Sequence, residues 1–352
     1  KKIYANRGVT RLELVDYSLA GLVDFSLLKG IDTAAEIVSQ AIIDIKRIIV
    51  VGDFDADGAT SCAVMVRSLK AFGLHNVDYL VPNRFDYGYG LSPQIVDVAA
   101  RSGPDLIVTV DNGISSIDGV RRANELGIQV VVTDHHLAAD ELPEAAAIVN
   151  PNQPGCEFPS KMIAGVGVAF YLMLAVRANL REKNWFDAEA GRAEPNMANY
   201  LDLVALGTVA DVVPLDENNR ILVEAGLQRI RRNKACVGIN ALLTIAGKSI
   251  EGCSSQDFGF IIGPRLNAAG RLDDMSIGIE CLLSDDYELA FKYASTLNQM
   301  NQQRRQIEGE MLAQAYDILD QQMEVLDAAE QVPDAMAIYD AQWHQGVVGL
   351  LA

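Results

Sequence analysis

The sequence has no hydrophobic run long enough to cross a membrane. Its longest apolar stretch, residues 164–176, contains 13 residues and is followed by Arg177, whereas a bilayer-spanning helix needs about 20. The first residues, KKIYANRG, also lack the apolar core of a secretory signal. Because the chain begins with Lys rather than Met, we expect it to be a fragment of a longer protein, without a membrane segment.

Cysteine is scarce and scattered. The five cysteines are Cys62, Cys156, Cys236, Cys253 and Cys281. Their number is odd and no two form a CxxC pair, which argues against a disulfide framework and against a structural zinc site. This cysteine usage predicts a protein of the reducing cytoplasm.

Basic residues are also in short supply. The chain has 29 Lys and Arg against 47 Asp and Glu, which gives a formal net charge of −18. That balance argues against a general polyanion binder, because the field of the whole chain repels phosphates. A nucleic-acid function would therefore need a local source of positive charge.

The apolar residues that are present form a pattern typical of a parallel sheet. Half of the 352 residues are hydrophobic, enough for about two domains. The β-branched runs are RIIVV (47–51), VDYLV (77–81), DLIVTV (105–110), IQVVVT (128–133) and AAIV (146–149), and helix-length segments lie at 58–72, 92–101 and 115–126. Continuous runs of this kind are buried on both faces. The sequence thus predicts an α/β fold with a doubly wound parallel sheet, in which strand, helix and strand repeat four times.

The chain as a whole divides into four predicted regions. They are a helical lead-in (1–45), a main domain with additional helices after residue 161 (46–283), a long polar connector helix (284–332) and the truncated start of a second α/β domain (333–352). The last region opens with a strand-like run, AMAIYD (335–340).

Acidic, imidazole or basic side chains follow each of the first four predicted strands. The motifs are GDFDADG, PNR, DNG and DHH, and they contribute Asp53, Asp55, Asp57, Arg84, Asp111, Asp134, His135 and His136. Ligands of an open parallel sheet bind beyond the carboxyl ends of its strands. We therefore expect these side chains to converge on one edge of the sheet.

Such a cluster predicts bound divalent cations. A single Asp at a strand end is commonly a helix N-cap or part of a turn, and this alternative holds for each motif alone. Three carboxylates within five residues exceed the needs of one cap, and they repel one another unless cations are bound. Asp oxygens with imidazole suit Mn²⁺ or Mg²⁺. The number of Asp residues suggests two ions that share a bridging carboxylate, an arrangement suited to phosphoester hydrolysis.

Asp211 is a further candidate ligand. It lies in a helical segment that is otherwise apolar from Leu203 to Val213. A carboxylate among such neighbours is costly to bury unless it meets a cation or a hydrogen-bond donor.

Several polar residues are candidates for phosphate contacts. They are Arg84 in PNRFDYGYG, Lys161 before the predicted helix start at 165–167, and Arg265, Asn267 and Arg271 in GPRLNAAGRLDD. The backbone amides of that helix start could also meet an anion. For the last two arginines, salt bridges to Asp273 or Asp274 are the alternative. Phe85, Tyr87 and Tyr89 either stack on bases or pack internally.

In these motifs the sequence resembles the DHH phosphoesterase superfamily, and most closely its bacterial single-strand-specific exonucleases. The motifs are GDFDADGAT, VPNRFDYGYGLSP, VTVDNGISS, VTDHH, AGVGVAFYL, LVALGTVADVVPL and GPRLNAAGRLDD. The resemblance implies degradation of single-stranded DNA to mononucleotides from the 5′ end, with two Mn²⁺ or Mg²⁺ ions, in recombination and repair. It also implies that the long helix leads to a DHHA1 domain and that DNA passes between the two domains. Single-strand-binding protein and a helicase are the partner proteins it implies, and we expect a monomer.

The resemblance also implies roles for individual residues. The implied metal ligands are Asp55, Asp57, Asp111, His135 and Asp211, with Asp111 bridging the two ions. His136 would contact phosphate or orient a ligand. Arg84 would hold phosphate near the 5′ end, and Arg265, Asn267 and Arg271 would contact DNA.

The sequence departs from the superfamily at one position. Many members have a His four residues before the first ligand Asp, and Val51 stands there in this chain. Asp53 or water is then expected to complete that site. Two other functions remain open at this stage. One is a DHH enzyme acting on pyrophosphate, short oligonucleotides or cyclic dinucleotides, and the other is a non-enzymatic scaffold with the same fold.

Overall fold

A computed structural model of the chain describes residues 6, 15, 17–83, 85, 88–187, 189, 191–328 and 335–351. A five-stranded parallel sheet lies at its centre. The strands are β1 (Ile48–Val51), β2 (Val77–Leu80), β3 (Leu106–Val110), β4 (Gln129–Thr133) and β5 (Ala147–Val149). Their order across the sheet is β2-β1-β3-β4-β5, and every neighbouring pair is parallel.

Helices surround the sheet and extend beyond it. They are α1 (Ile31–Ile43), α2 (Ala56–Ala71), α3 (Pro93–Ala100), α4 (Ile117–Glu125), α5 (Gly165–Glu182), α6 (Leu201–Ala210), α7 (Glu217–Arg231), α8 (Val237–Ile245), α9 (Gly263–Leu272), α10 (Ser276–Leu283) and α11 (Tyr287–Ala328). Shorter helical turns are Leu19–Gly21, Phe25–Leu27, Met197–Tyr200, Ser255–Asp257 and Val348–Leu350, and a π-helix spans Phe258–Ile262. The long polar segment after residue 284 is thus one helix across its described part.

Both faces of the sheet are buried, and successive residues of each strand supply opposite faces. Ile48 and Val50 of β1 belong to a large core that includes residues of α1, α2 and α5. Ile49 and Val51 belong to a smaller core with residues of α3 and α4. The alternation explains why the strands are apolar throughout their length. The predicted doubly wound α/β fold is confirmed.

Two details of the predicted organisation are wrong. Residues 134–146, between β4 and β5, contain no helix, so the strand–helix–strand unit is not repeated a fourth time. Residues 335–340 are not a strand. A strand needs a neighbour for its backbone hydrogen bonds, and no strand lies beside this segment in the described part of the chain. Most of the predicted helical lead-in before residue 17, Arg84 and Tyr87 lie outside the described residues.

No helix among the described residues combines the length and apolarity that a membrane crossing requires.

Candidate metal centre

The candidate site lies where the strand order reverses. The chain runs from β1 outwards to β2 and then returns to the other side of β1 as β3. The loops after β1 and β3 therefore diverge and leave a crevice between them, the usual ligand site of such sheets. Asn112 fixes the edge of this crevice, since its side-chain amide donates to the carbonyl oxygens of Val51 (3.1 Å) and Val110 (2.9 Å).

The loop after β1 carries the first carboxylates into the crevice. Asp55 is the N-cap of α2, and its side chain accepts a hydrogen bond from the Gly58 amide at 2.9 Å. Asp57 follows in the first turn of the helix and is buried. The capping role expected as the alternative reading is therefore real for Asp55, and it fixes the direction of the loop.

The start of α5 binds an anion, and that anion is the carboxylate of Asp57. The Gly165 amide donates to Asp57 Oδ2 at 2.7 Å and the Val166 amide donates to Asp57 Oδ1 at 2.9 Å. Free helix amides carry partial positive charge, which suits a buried carboxylate. The amides of this helix start therefore do meet an anion, as the sequence predicts, and in this structure the anion is the Asp57 carboxylate.

Asp111, at the end of β3, lies in the middle of the acidic group. Its backbone has a φ of 61°, in the left-handed region that few residues other than glycine adopt. A Cβ on Gly165 would lie 2.5 Å from Asp111 Oδ1 and 2.6 Å from Asp111 Cβ. Glycine at position 165 is thus what allows the helix start and this carboxylate to approach each other.

Three buried ligand-type atoms point at one another without hydrogen bonds. His135 Nε2 lies 3.1 Å from Asp111 Oδ1 and 3.6 Å from Asp211 Oδ2. None of the three atoms has a hydrogen-bond partner among the described residues. Buried polar atoms are almost always paired. Orphaned carboxylate and imidazole atoms that face one another fit a cation between them.

The candidate ligands form three overlapping groups. They are Asp53, Asp55 and Asp111; Asp57, His135 and Asp211; and Asp111, His135 and His136, with the ligand atoms of each group within 4.8 Å of one another. Asp111 belongs to two groups. The predicted convergence of the described Asp and His residues is therefore present, and Asp53, which is expected to compensate for Val51, lies with Asp55 and Asp111.

Burial and mutual repulsion change the pKa values of these acids. Burial, with the carboxylates of Asp211 and Asp55, raises the pKa of Asp57 well above its usual range. Burial raises the pKa of Asp111 in the same way, with Asp57 as the strongest charged neighbour. Burial and Asp55 raise the pKa of Asp211 to about 7. Without a cation, the centre therefore resists full ionisation at neutral pH.

The adjacent histidines are in different states. Burial, followed by repulsion from His136, lowers the pKa of His135 to about 4. Its ring is therefore neutral at physiological pH and has a lone pair available for a metal. A hydrogen bond to the Asp134 carboxylate raises the pKa of His136, so that this ring holds a proton more readily.

Asp134 is the residue that sets the geometry of both histidines. Its Oδ1 accepts from the amides of His135 (2.7 Å) and His136 (3.1 Å) and lies 2.7 Å from His136 Nδ1. Its Oδ2 accepts from the Ile114 amide at 2.9 Å. Asp134, the first residue of the DHH motif, is thus a buried residue that holds the two histidines in place, and it belongs to none of the three ligand groups.

Helix α9 brings basic side chains towards the acidic loop. The Asn267 side-chain oxygen accepts from the Ala56 amide at 2.7 Å. A Cβ on Gly270 would lie 1.8 Å from the Phe54 carbonyl oxygen, so helix and loop are in close contact. Arg271, one residue further on, donates to the Gly346 carbonyl at 3.1 Å.

Neither Arg265 nor Arg271 forms a salt bridge to Asp273 or Asp274, which was the alternative to a phosphate contact. Arg265 donates to the Ile261 carbonyl at 2.7 Å and to Asn298 Oδ1 at 3.1 Å. Burial, followed by repulsion from Arg305, lowers the pKa of Arg265. Burial, followed by repulsion from Arg304, lowers that of Arg271. Helices α9 and α11 therefore bring guanidinium groups together in a chain of net negative charge.

Lys161 lies in the loop that precedes α5, as its place in the sequence predicts. Its ammonium donates to the carbonyl oxygens of Pro151 (2.7 Å) and Cys156 (2.8 Å). Two of its three donors are thus used inside the loop that carries it. Arg84, the remaining predicted phosphate contact, is outside the described residues.

Tyr89 is the aromatic residue at the crevice. Its hydroxyl lies 3.4 Å from the Asp111 carbonyl and 3.3 Å from His136 Nε2, and its ring meets that of His136 edge-on at 5.9 Å. Its side chain is half exposed. Phe85 instead meets His344 edge-on at 5.9 Å.

Two glycines support the site: Gly165 belongs to the helix start that the sequence predicts, and Gly207 is not singled out from the sequence. Besides Gly165, Gly207 on α6 is in close contact with α2. A Cβ there would lie 2.2 Å from Thr60 Oγ1 and 2.9 Å from Asp57 Oδ1. The only available sequence signal was a glycine within an otherwise apolar helix, which often marks close packing.

Comparison with known proteins gives consistent matches. Residues 47–208 match the model of the DHH family, N-terminal domain. The chain is 56% identical to the single-stranded-DNA-specific exonuclease RecJ of Dickeya dadantii over all 352 of its residues. It spans 60% of the length of that protein.

Solved structures match in fold as well as in sequence. A crystal structure of exonuclease RecJ bound to manganese has a TM-score of 0.77 at 34% identity, and the match covers 92% of this chain and 76% of that one. A crystal structure of RecJ from Thermus thermophilus in complex with Mg²⁺ has a TM-score of 0.70 at 32% identity, covering 99% of this chain and 44% of that one.

Proposed function

The chain belongs to the RecJ family of DHH proteins, and we propose that it is the catalytic part of a single-strand-specific DNA exonuclease. In this proposal it hydrolyses phosphodiester bonds from the 5′ end and releases mononucleotides during recombination and repair. The observation that carries the proposal is the set of orphaned buried atoms, Asp111 Oδ1, His135 Nε2 and Asp211 Oδ2, which face one another at the crevice.

We assign two divalent ions, Mn²⁺ or Mg²⁺, to the crevice. Asp57, His135 and Asp211 would hold one ion, and Asp53 and Asp55 would hold the other, with Asp111 shared. This assignment deepens the expected ligand set by giving Asp53 the place left by Val51. Bound ions of this kind supply charge neutralisation and lower the pKa of a water to near neutrality.

The other residues prepare the site for the reaction. The buried imidazole of His135 stays neutral, so it neither repels a cation nor needs to lose a proton before binding it. Asp134 holds the ring of His136 through Nδ1 and favours its protonated state. The half-exposed ring then offers Nε2–H as a donor to a non-bridging phosphate oxygen, where negative charge develops during in-line attack.

We propose that the DNA strand runs along the side of the crevice formed by α9, which carries Arg265 and Arg271. Arg271 lies next to the loop of Asp55, since Asn267 and Gly270 fix α9 to that loop. With Arg265, it would supply the local positive charge that a net charge of −18 lacks. We keep Asn267, Lys161 and Arg84 as proposed phosphate or DNA contacts, although the first two already serve hydrogen bonds inside the protein.

The cellular setting is part of the same proposal. Among the described residues, all five cysteines are free and three are buried, which suits the reducing cytoplasm. A single-strand-binding protein and a helicase are proposed partners, on the family relationship alone, and the protein is proposed to act as a monomer.

The function is tested with single-stranded DNA of about 40 nucleotides, labelled at the 5′ or the 3′ end, in the presence of Mn²⁺. We expect labelled mononucleotide to appear at once from the 5′-labelled strand. The variant Asp111→Asn should lose nearly all activity, whereas Asp97→Asn, a change at an exposed carboxylate on α3, should not. Preferential cleavage of dinucleotides over long strands would favour the small-substrate alternative, and wild-type rates in Asp111→Asn would refute the assignment.

A further inference from the structure

Val212 directly follows the candidate ligand Asp211 and has an unusual backbone. Its φ is 63°, in the left-handed region, which is strongly disfavoured for a β-branched residue. It occupies the position just past the C-cap of α6, where helices most often place glycine. The chain therefore bears strain at a position where glycine would remove it.

The Val212 side chain is 83% exposed. It therefore contributes almost no core packing that could offset the strain of its backbone. Strained residues with no structural compensation are concentrated at functional sites. Ile45 has the same strain away from the site, so the strain by itself does not identify a ligand contact. Val212 differs because it directly follows Asp211, whose Oδ2 lies 3.6 Å from His135 Nε2.

A second exposed apolar residue, Met162, lies on a segment that hydrogen bonds connect to the segment after Val212. Asn219 donates through one side-chain amide to the carbonyl oxygens of Met162 (2.7 Å) and Pro214 (3.0 Å), which ties the two segments together. Met162 is half exposed. Its loop also reaches the centre, because the Asn152 amide donates to the carbonyl oxygens of both Lys161 (3.2 Å) and His135 (2.6 Å).

We propose that Val212 is a substrate-contacting residue that packs against the nucleoside next to the scissile phosphate, with Met162 on the segment connected to it through Asn219. This inference rests on the proposed function. The carboxylates and ions suit only the phosphate, while the sugar and base on either side of it present apolar surface. An exposed valine one residue from a ligand of the metal centre supplies apolar surface within reach of that nucleoside.

The chain contains a matched control for the strain alone. Ile45 occupies the same position past the C-cap of α1, with a φ of 54° and 71% exposure. It lies at the end of α1 that precedes β1, whereas the candidate ligands follow the strands. Val212→Gly and Ile45→Gly should therefore both leave the melting temperature at or above that of the wild type.

The test measures binding of a fluorescent oligothymidylate with hydrolysis-resistant phosphorothioate linkages to the full chain in Mn²⁺. Val212→Gly should weaken binding about fivefold, the value expected for one partly buried valine. Ile45→Gly and the conservative Val212→Ile should bind within about twofold of the wild type. The Kd for Mn²⁺ and the kcat for bis(p-nitrophenyl) phosphate, which carries no nucleoside, should be unchanged in Val212→Gly.

Each other outcome has a distinct meaning. Equal binding of oligothymidylate by wild type and Val212→Gly would overturn the inference and leave the proposed function standing. Weaker Mn²⁺ binding by Val212→Gly would also overturn it, because the residue would then position Asp211 rather than contact substrate. A wild-type protein that neither binds the strand nor hydrolyses it would refute the proposed function, and the inference with it.

Discussion

The start of helix α5 touches the central carboxylate of the site: a methyl group on Gly165 would lie 2.5 Å from Oδ1 of Asp111. The same residue donates its amide to Asp57. The absence of a side chain at position 165 therefore allows one residue to contact both Asp57 and Asp111.

Gly165→Ala should therefore damage metal binding without removing any ligand. The added methyl group must displace Asp111, and we expect Mn²⁺ affinity to fall by about 10–100-fold, as for other supports of metal ligands. Isothermal titration with Mn²⁺ measures this. Gly309→Ala is the matched control, since Gly309 lies within α11 with nothing near its Cβ position, and it should raise stability by roughly 0.5–1 kcal/mol. Normal Mn²⁺ affinity in Gly165→Ala would contradict the crowding argument.

Asp134→Asn should uncouple His136 from its support. The neutral amide cannot stabilise a charged ring, so the pKa of His136 should fall, which an NMR titration of its ring protons can follow. Loss of the carboxylate's charge-assisted bonds should also cost about 1–3 kcal/mol of stability. We expect kcat to fall about 10–100-fold. An unchanged pKa of His136 would show that Asp134 is not its controlling neighbour.

The metal-free protein should lose stability between pH 6.5 and pH 8. The pKa of Asp211 is raised to about 7, so this group still binds protons in the folded chain where the unfolded chain has lost them. The raised pKa values of Asp57 and Asp111 act in the same direction. Stability must then fall as pH rises. His136, whose pKa is also raised, acts in the same direction. His135 acts oppositely, but only between about 4 and 6.5.

Denaturant unfolding at several pH values measures this effect. We expect the free energy of unfolding to decrease by roughly 1–2 kcal/mol across that range. Saturating Mn²⁺ should abolish the decrease, because bound cations favour the ionised carboxylates at every pH tested. Asp211→Asn should reduce it in the metal-free protein. A decrease of the same size with and without Mn²⁺ would contradict the proposed ligand set.

Arg271→Ala should weaken the binding of single strands in a salt-dependent way. If the guanidinium neutralises one phosphate, a plot of the logarithm of the DNA-binding constant against the logarithm of the salt concentration should become shallower by about 0.7. Arg101→Ala, a change at an exposed arginine that follows α3, should leave the slope unchanged. An unaltered slope in Arg271→Ala would remove this residue from the DNA path.

The sequence was sufficient to predict the sheet and most of the site. Buried strands have a simple signature in sequence, and the rule that ligands bind at the carboxyl ends of parallel strands predicts that Asp55, Asp111 and His135 lie close together. Close contacts between a helix and a loop have no comparable signature in the sequence. The contact of Gly165 with Asp111, and the choice of Asp57 rather than phosphate at the start of α5, depend on how helices pack in three dimensions.

The errors have equally specific physical reasons. A strand-like run such as AMAIYD forms a strand only if a partner strand lies beside it, which the local sequence does not reveal. Two of the three donors of the Lys161 ammonium bind nearby carbonyl oxygens, which the local sequence does not reveal, and its phosphate contact stays a prediction. The left-handed backbone of Val212 cannot be predicted from the sequence, because β-branched residues such as valine rarely adopt that conformation.

Crystals soaked in Mn²⁺ and measured at the manganese absorption edge test the central claim most directly. Two anomalous peaks should appear in the crevice, one bounded by Asp57, His135 and Asp211 and the other by Asp53 and Asp55, with Asp111 between them. A single peak away from these residues, or no peak at saturating Mn²⁺, would contradict the two-ion centre on which the proposed nuclease activity depends.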